Sequence, residues 1–345
     1  MRTKLAGKIE AGEKISIAHG GGGEMMHRLI EGHILPRLGN RFLNALNDSA
    51  IFEPTNKRTA FTTDAFVVQP LEFPGGDIGR LAMCGTINDL AVMGATPTAL
   101  SLALVVEEGL PLSVLDRILD SIAETAATAN VVVATGDTKV IERRSGDGLM
   151  ITTAGIGHLR DGVNMDLGRV NAGDVVIVSG RIAEHGLAVL SVREGLSFET
   201  QIVSDAAPLN DLVATILDSG ADVKFMRDPT RGGLAGVLAD AADVSNLSIE
   251  VREDSIPVSS AVRHTAEVFG LDPLTVANEG KLVAICSAKD ADRVLNACRA
   301  HPLGKHAALI GHFVDEQPQL VELITLAGGR RVIQRPYGEE LPRIC

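Results

Sequence analysis

The chain has 345 residues, of which 45% are hydrophobic and 22% charged, so it can bury a full core and is not disordered. Its formal net charge of −12 argues against nucleic acid or an anionic membrane as the main partner. The four cysteines form no CxxC pair, so neither a zinc ribbon nor a disulfide framework is indicated. The N-terminus lacks a signal-peptide apolar region, and the apolar stretch at 100–106 is too short to span a bilayer. We therefore expect a cytoplasmic protein.

The predicted elements of the first half alternate between helices and strands. A glycine-rich segment at 19–23 precedes an amphipathic stretch in which Met25, Met26, Leu29 and Ile30 recur at helical spacing. Apolar alternation and continuous apolar runs predict strands at 59–68, 131–133 and 149–156. Helices are predicted at 86–93 and from a cap at Ser113, the second with Leu115, Ile118, Leu119 and Ile122 on one face.

A turn-rich stretch at 160–171 separates the second half from the first and is the predicted domain boundary. Beyond it the pattern predicts strands at 174–179 and 282–286, helices at 209–217, 233–242 and 262–269, and a hairpin at 319–334 around Gly328 and Gly329. The predicted fold class is α/β (α+β). The predicted domains are 1–160 and 168–335, followed by a tail at 336–345.

The tail ends the sequence on the thiol of Cys345. Pro336 and Pro342 stiffen this segment while Gly338 provides a hinge, and a polyproline-like stretch of this length reaches roughly 25–30 Å. A thiol on a semi-rigid arm is typical of a covalent carrier that visits two sites. The alternative is a frayed terminus with an incidental cysteine.

Three carboxylates at strand ends and turns are candidate ligands for Mg²⁺. The chain has neither a GxxxxGK[ST] nor a GxGxxG sequence, so a nucleotide would bind by another route. Asp64 ends a strand, Asp89 follows Asn88 at a predicted helix start, and Asp137 directly follows an apolar run. Mg²⁺ usually bridges such carboxylates to substrate phosphates. Taken singly, each aspartate also fits a cap or turn residue.

The sequence at 228–233 has the form of a helix start, with Asp228 as N-cap and Pro229 as the first helical residue. Its two glycines and the helix dipole could receive a phosphate, although capping alone also explains the pattern. Glu279 stands just before an apolar strand and could equally be a solvated turn residue. Cys298, His301 and His306 have metal-like spacing, but a helix end before Pro302 explains them better.

These motifs together resemble the HypE family of hydrogenase maturation proteins, within the aminoimidazole ribonucleotide synthetase-like superfamily. The resemblance covers essentially the whole chain, and the ending at 336–345 is its most specific part. Its other parts are the glycine run at 19–23, the segments at 73–77 and 85–94, and the motifs at 136–139 and 228–233.

The resemblance implies an ATP-dependent enzyme. A carbamoyltransferase, HypF, would place a carboxamide on Cys345, and the chain would dehydrate it to a thiocyanate. The HypC–HypD complex would then receive the cyanide ligand of [NiFe]-hydrogenase iron. The implied fold has two α/β domains, with N-terminal strands forming a β-barrel across a homodimer and a flexible C-terminal tail.

The resemblance also implies roles for particular residues. Glu279 would be the base and Lys139 would orient the carboxamide or stabilise its oxygen. Mg²⁺ would be held by Asp64, Asp89 and Asp137. ATP would be bound by Asp64, Asn88, Asp137, Thr138, Asp228, Thr230 and Gly232.

Two other function classes are less well supported. A selenophosphate synthetase of the same superfamily would have a reactive cysteine beside the glycine run, where this chain has His19. A scaffold whose tail only docks a partner would need neither Asp137 nor Glu279.

Overall fold

The computed structural model describes residues 14–16, 19, 28–41, 43–45, 56–195, 202–316, 319–336, 341 and 343–345. Most of the glycine run at 19–23, the predicted helical positions Met25 and Met26, and the predicted hinge at Gly338 lie outside the described residues. Residues 28–29 are helical and lead into a π-helical turn at Ile30–Ile34, which continues into α1 at Leu35–Leu38.

A four-stranded sheet with the order β1-β6-β4-β5 forms the N-terminal half. Its strands β4 and β5 run parallel, whereas the other neighbouring pairs run antiparallel. A separate ribbon consists of β2 and β3. The bounds are β1 Thr59–Phe66, β2 Glu72–Phe73, β3 Gly76–Asp77, β4 Ala95–Glu107, β5 Val132–Ile141 and β6 Leu149–Leu159. The three predicted strands overlap β1, β5 and β6, whereas β4 was not predicted.

Two long helices belong to this half: α2 at Ile78–Val92, which packs over β1, β4 and β6, and α3 at Leu112–Thr128, which packs against α2. Asp77 caps α2 by accepting hydrogen bonds from the N–H groups of Gly79 and Arg80, at 2.7 and 3.0 Å. The prediction that Asn88 opens this helix was therefore wrong. Ser113 is not a cap either, because α3 begins one residue earlier, after Pro111. The predicted apolar face of α3 is fully buried.

The C-terminal half contains a seven-stranded sheet with the order β13-β12-β9-β11-β7-β10-β8, in which only β12 and β9 run parallel. The predicted hairpin is confirmed as β12 and β13. The strands are β7 Val175–Val178, β8 Val223–Arg227, β9 Ser248–Arg252, β10 Val283–Cys286, β11 Ala308–Val314, β12 Val321–Ile324 and β13 Arg330–Ile333. The helices are α4 Glu184–Arg193, α5 Asn210–Asp218, α6 Gly233–Ser245, α7 Ser260–Phe269 and α8 Ala291–Ala300.

Helices cover both faces of the seven-stranded sheet. Val176 and Val178 of β7 share a core with α6, whereas Val175 and Ile177 share the opposite core with α5 and α8. Every residue of β7 is consequently buried, as expected for a strand covered on both sides. Helix α2 lies between the two halves and also contacts α5 and β8. Within the described residues, no helix is both long and apolar enough to cross a membrane.

Candidate active site

A cavity of about 600 Å³ opens where α2, the segment after β8, the start of α6 and the C-terminal residues meet. Its lining includes residues that the sequence placed in three separate motifs: Asp89, Asp228, Thr230, Gly232, Ile344 and Cys345. The arginines Arg227, Arg231 and Arg335 also line it. The cavity thus combines carboxylates, cations and a thiol in one place.

Asp64 and Asp89 lie on the helix-covered face of the N-terminal sheet. Strand alternation turns Asp64 toward α2, where the hydroxyl of Thr86 donates to it at 2.8 Å. Asp89 follows Thr86 by one helical turn and accepts from the hydroxyl of Thr62 on β1, also at 2.8 Å. Burial raises the pKa of Asp89, and the negative charge of Asp64 raises it further.

Asp228 adds a third carboxylate from the C-terminal half. Its side chain directly follows β8, and the residue is only 8% exposed. Burial, followed by the charge of Asp89, raises the pKa of Asp228 to about 7.

Glu279 is the fourth carboxylate and the most deeply buried of the four, at 2% exposure. Burial raises its pKa well above the ordinary value, and the charges of Asp228 and Asp205 contribute. Its Oε1 has no hydrogen-bond partner. A buried oxygen without a donor and a set of mutually repelling carboxylates are both stabilised by a nearby cation.

Within the described residues, no group of three or more His, Cys, Asp or Glu side chains is arranged to hold a metal ion. The donors present nevertheless fit a hard cation, because all four groups are carboxylates and one buried oxygen is unsatisfied. A Mg²⁺ ion that kept its own waters and bound substrate oxygens would need only one or two of them.

Helix α6 does not begin as the sequence predicted. Its N-cap is Gly232, in a left-handed conformation with φ +78°, and Asp228 makes no capping bond. The carbonyl of Pro229 instead accepts two hydrogen bonds from Asn278, both at 3.0 Å, which holds the segment in an extended path. Gly233 has φ +59°, and a Cβ there would lie 2.5 Å from the Leu274 oxygen. Only glycine fits this close approach. At the helix start, the N–H groups of Gly233 and Ala235 already donate to the carbonyls of Thr230 and Leu274, at 2.9 and 2.8 Å.

Asn88 holds segments together beneath the site. It is fully buried; its amide nitrogen donates to the carbonyls of Ala207 and Glu279 at 3.1 and 3.2 Å, and its oxygen accepts from the Leu209 N–H at 2.7 Å. All these bonds go to backbone, so Asn88 positions the segment before β10 that carries Glu279.

Asp137 and Lys139 are not brought to the other carboxylates within one chain. Across the sheet, Asp64 of β1 pairs with Thr153 of β6, which pairs with Leu102 of β4, which in turn pairs with Gly136 of β5. Strand β5 therefore lies three strand spacings, about 14 Å, from β1. Thr138 turns to the buried face, whereas Asp137 and Lys139 are exposed on the opposite one. No described element covers that face, on which Phe61 is 70% exposed.

Residues 343–345 run alongside 67–69, and Ile344 and Cys345 line the cavity. The N–H of Val67 donates to the Cys345 carbonyl at 3.3 Å, and the N–H of Gln69 donates to the Arg343 carbonyl at 3.2 Å. The side chain of Ile344 is 2% exposed and joins the N-terminal core. Cys345 is half-buried against the same core.

Two side chains that the sequence did not single out hold these residues. His185, fully buried on α4, lies with Nε2 2.9 Å from the Ile344 carbonyl and Nδ1 2.8 Å from the Ser204 hydroxyl. Because a carbonyl only accepts, Nε2 carries the proton; burial lowers the pKa of His185, which favours this neutral form. Arg193 donates to the carbonyls of both Gln69 and Arg343.

Comparison with known proteins identifies the family. Residues 46–159 match the AIR synthase related protein N-terminal domain, and residues 171–322 match the corresponding C-terminal domain. The carbamoyl dehydratase HypE of Rhizobium leguminosarum bv. viciae is 48% identical over 336 residues, which cover 97% of this chain and 96% of the relative. The chain belongs to the HypE family.

Solved HypE structures share the fold. A crystal structure of the hydrogenase maturation protein HypE in complex with ATP matches with a TM-score of 0.92 at 40% identity, covering 95% of this chain and 99% of that one. HypE in a HypE–HypF complex matches with a TM-score of 0.78 at 42% identity, covering 89% and 99%. The predicted two-domain fold and the predicted family are therefore confirmed.

Proposed function

We propose that this chain is an ATP-dependent carbamoyl dehydratase that converts a carboxamide on the sulfur of Cys345 into a thiocyanate. The product would supply the cyanide ligand of [NiFe]-hydrogenase iron through the HypC–HypD complex. One observation carries the proposal: Cys345 lines the same cavity as Asp89, Asp228 and Gly232. The relatives named carbamoyl dehydratase and the ATP complex of a HypE structure support it.

The carrier role falls to Cys345 because the other cysteines are inaccessible. Cys84, Cys286 and Cys298 are all fully buried. Burial raises the pKa of Cys286 and of Cys298 to about 12, so neither forms the thiolate that nucleophilic attack requires. HypF is the proposed carbamoyl donor, and the complex of a HypE relative with HypF supports this partner.

The proposed dehydration removes one oxygen and two protons from the carboxamide and leaves a nitrile on sulfur. ATP would supply the phosphoryl group that turns the amide oxygen into a leaving group, so that this oxygen departs in phosphate. Glu279 would accept one N–H proton, and the second would leave to solvent. Burial raises the pKa of Glu279 and favours its protonated form, so a nearby cation would be needed to keep it as the carboxylate that accepts the proton.

Nucleotide and metal would share the cavity. The positive end of the α6 dipole, near Thr230 and Gly232, would attract phosphate oxygens because a helix N-terminus favours anions. Asp64, Asp89 and Asp228 would stand closest to Mg²⁺. Direct nucleotide contact by Asn88 and Thr138 stays a prediction, since both side chains are buried.

A homodimer would bring Asp137 and Lys139 into the mechanism. Both lie on the open face of the N-terminal sheet, with exposed Phe61 on the same surface. A second copy covering this face would form the proposed barrel and deliver its Asp137 and Lys139 to the neighbouring site. Mg²⁺ would then be held by Asp64 and Asp89 of one chain and Asp137 of the other. The proposal also includes two domains, at 1–160 and 168–335, followed by a mobile tail at 336–345.

Intact-mass spectrometry tests the function. Chain carbamoylated by HypF should lose the mass of one water only when ATP and Mg²⁺ are both added. Cys345→Ala should accept no carboxamide, and Glu279→Gln should accept it but keep the water. Water loss without ATP, or carbamoylation of Cys345→Ala, would show that the proposed chemistry is wrong.

A further inference from the structure

A second cavity, of about 490 Å³, lies beside the loop that follows β7. It shares no lining residue with the cavity that contains Cys345. The start of α2, the segment at 203–207, Lys281 and the turn at 302–306 complete its wall. The volume is within the range of about 300–1,000 Å³ that is typical of small-molecule sites.

The wall of this cavity is rich in positive charge, although the whole chain is strongly acidic. Two carboxylates, Glu184 and Asp205, contribute the negative charge. The cationic side chains are Arg80, Arg181, Lys281 and Lys305, accompanied by the imidazole of His306.

Both carboxylates are already engaged by one lysine and the backbone. Asp205 lies 3.1 Å from the Lys281 ammonium and accepts from the N–H groups of Glu279 and Gly280, each at 3.2 Å. Glu184 lies 3.9 Å from the same ammonium. Gly180 leaves room for this lysine, because a Cβ there would lie 3.0 Å from its Cε.

The other cations are less engaged than Lys281: Arg80 donates to the Ala206 carbonyl at 2.8 Å, and the charge of Arg181 counteracts the raised pKa of the Glu184 carboxyl. Over the described part of the chain, Arg80, Arg181 and Lys305 form no salt bridge. Burial lowers the pKa of His306, and the positive charges of Arg181, Lys305 and Lys281 lower it further. This direction of shift agrees with the lining of the cavity, in which these three cationic side chains accompany the imidazole.

We propose that this cavity binds a phosphate-class dianion, as inorganic phosphate or as the phosphate of a small monoester. Arginine presents a planar fork that matches phosphate oxygens, and lysine adds a point charge. Buried Lys281 would form the floor of the site, with exposed Arg181 and Lys305 closing on the ligand. The site shares no lining residue with the cavity of the proposed dehydratase chemistry, although Asp205 in its wall accepts a hydrogen bond from the N–H of Glu279.

Calorimetric titration with potassium phosphate tests the proposal on protein saturated with Mg²⁺ and adenylyl imidodiphosphate, which fills the nucleotide site. Arg181→Ala/Lys305→Ala should weaken phosphate binding about tenfold or more, since each charge-assisted hydrogen bond contributes substantially. Arg263→Ala/Lys289→Ala is the matched control, because it removes two exposed cations that line neither cavity. A parallel titration with ribose 5-phosphate separates the sources: tighter binding indicates a monoester, and equal binding indicates free phosphate.

The imidazole of His306 gives an independent readout by proton NMR. Bound phosphate should raise its pKa, because the anion cancels the repulsion from the neighbouring cations. Absence of phosphate binding to the unmodified protein, or equal binding by all three proteins, would overturn the proposal.

Discussion

Ile344→Ala should release the C-terminal residues from the cavity and expose the Cys345 thiol. The substitution removes three carbons from a side chain that is 2% exposed. At about 0.8 kcal/mol per buried carbon, the docked state should lose about 2.4 kcal/mol. The ratio of undocked to docked tail should consequently rise roughly 50-fold, at 1.4 kcal/mol for each factor of ten.

The rate of native-state alkylation by iodoacetamide, read by intact mass, measures this release. When docking is faster than alkylation, the labelling rate is proportional to the undocked population. The labelling rate of Ile344→Ala should therefore increase by up to roughly 50-fold over that of the unmodified chain. The remaining cysteines are fully buried and should not react in the folded chain.

Ile216→Ala is the matched control, because Ile216 is fully buried in the opposite core, between α5 and the seven-stranded sheet. It should lower the melting temperature while leaving Cys345 labelling unchanged. Ile344→Ala should instead speed Cys345 labelling and leave the melting temperature unchanged. Unchanged labelling of Ile344→Ala would refute the reasoning.

Three further predictions concern the carboxylates. Glu279→Gln should slow dehydration by about 10²–10⁴-fold, the usual contribution of a positioned base, while carbamoylation survives in the same mass assay. Asp89→Asn and Asp137→Asn should each weaken Mg²⁺-dependent ATP binding in calorimetry, and unchanged affinity in both would leave these residues structural. Because burial raises the folded-state pKa of Asp228 from 3.8 to about 7, its ionisation increasingly destabilises the fold as pH rises through this range. Asp228→Asn, without metal or nucleotide, should therefore raise the melting temperature more at pH 8 than at pH 5, and equal shifts in scanning calorimetry would contradict this.

The local sequence pattern was sufficient to predict an element where that element buries only one of its faces. The alternation of β1 and the apolar face of α3 both reflect a single covered surface, which produces a readable period. Strand β4 escaped prediction because its alanines and leucines do not favour strands by themselves. Its pairing with β5 and β6 on either side stabilises it instead.

The start of α2 was also missed, for a different physical reason. Helix α2 is buried on nearly all sides between the two halves, so it has no polar face to produce a helical period. Only the short stretch at 86–93, where Thr86, Asn88 and Asp89 interrupt the apolar residues, looked helical.

The candidate site was predicted in its parts but not in its assembly. Asp64, Asp89, Asp228 and Glu279 were each visible beside a strand or turn. Their mutual repulsion depends on contacts across the two halves, which no local pattern encodes. The same holds for His185, whose role arises from a bond to a residue 159 positions away.

The main-chain contacts of the tail have a consequence for a carrier that must present successive chemical forms of one sulfur. The carbonyls of Arg343, Ile344 and Cys345 accept the bonds from Gln69, His185 and Val67. These bonds do not involve the substituent on sulfur, so the tail can keep the same position whether Cys345 carries a thiol, a carboxamide or a nitrile. Release of the tail that carries the nitrile then requires a partner that replaces these main-chain hydrogen bonds, rather than one that recognises the nitrile.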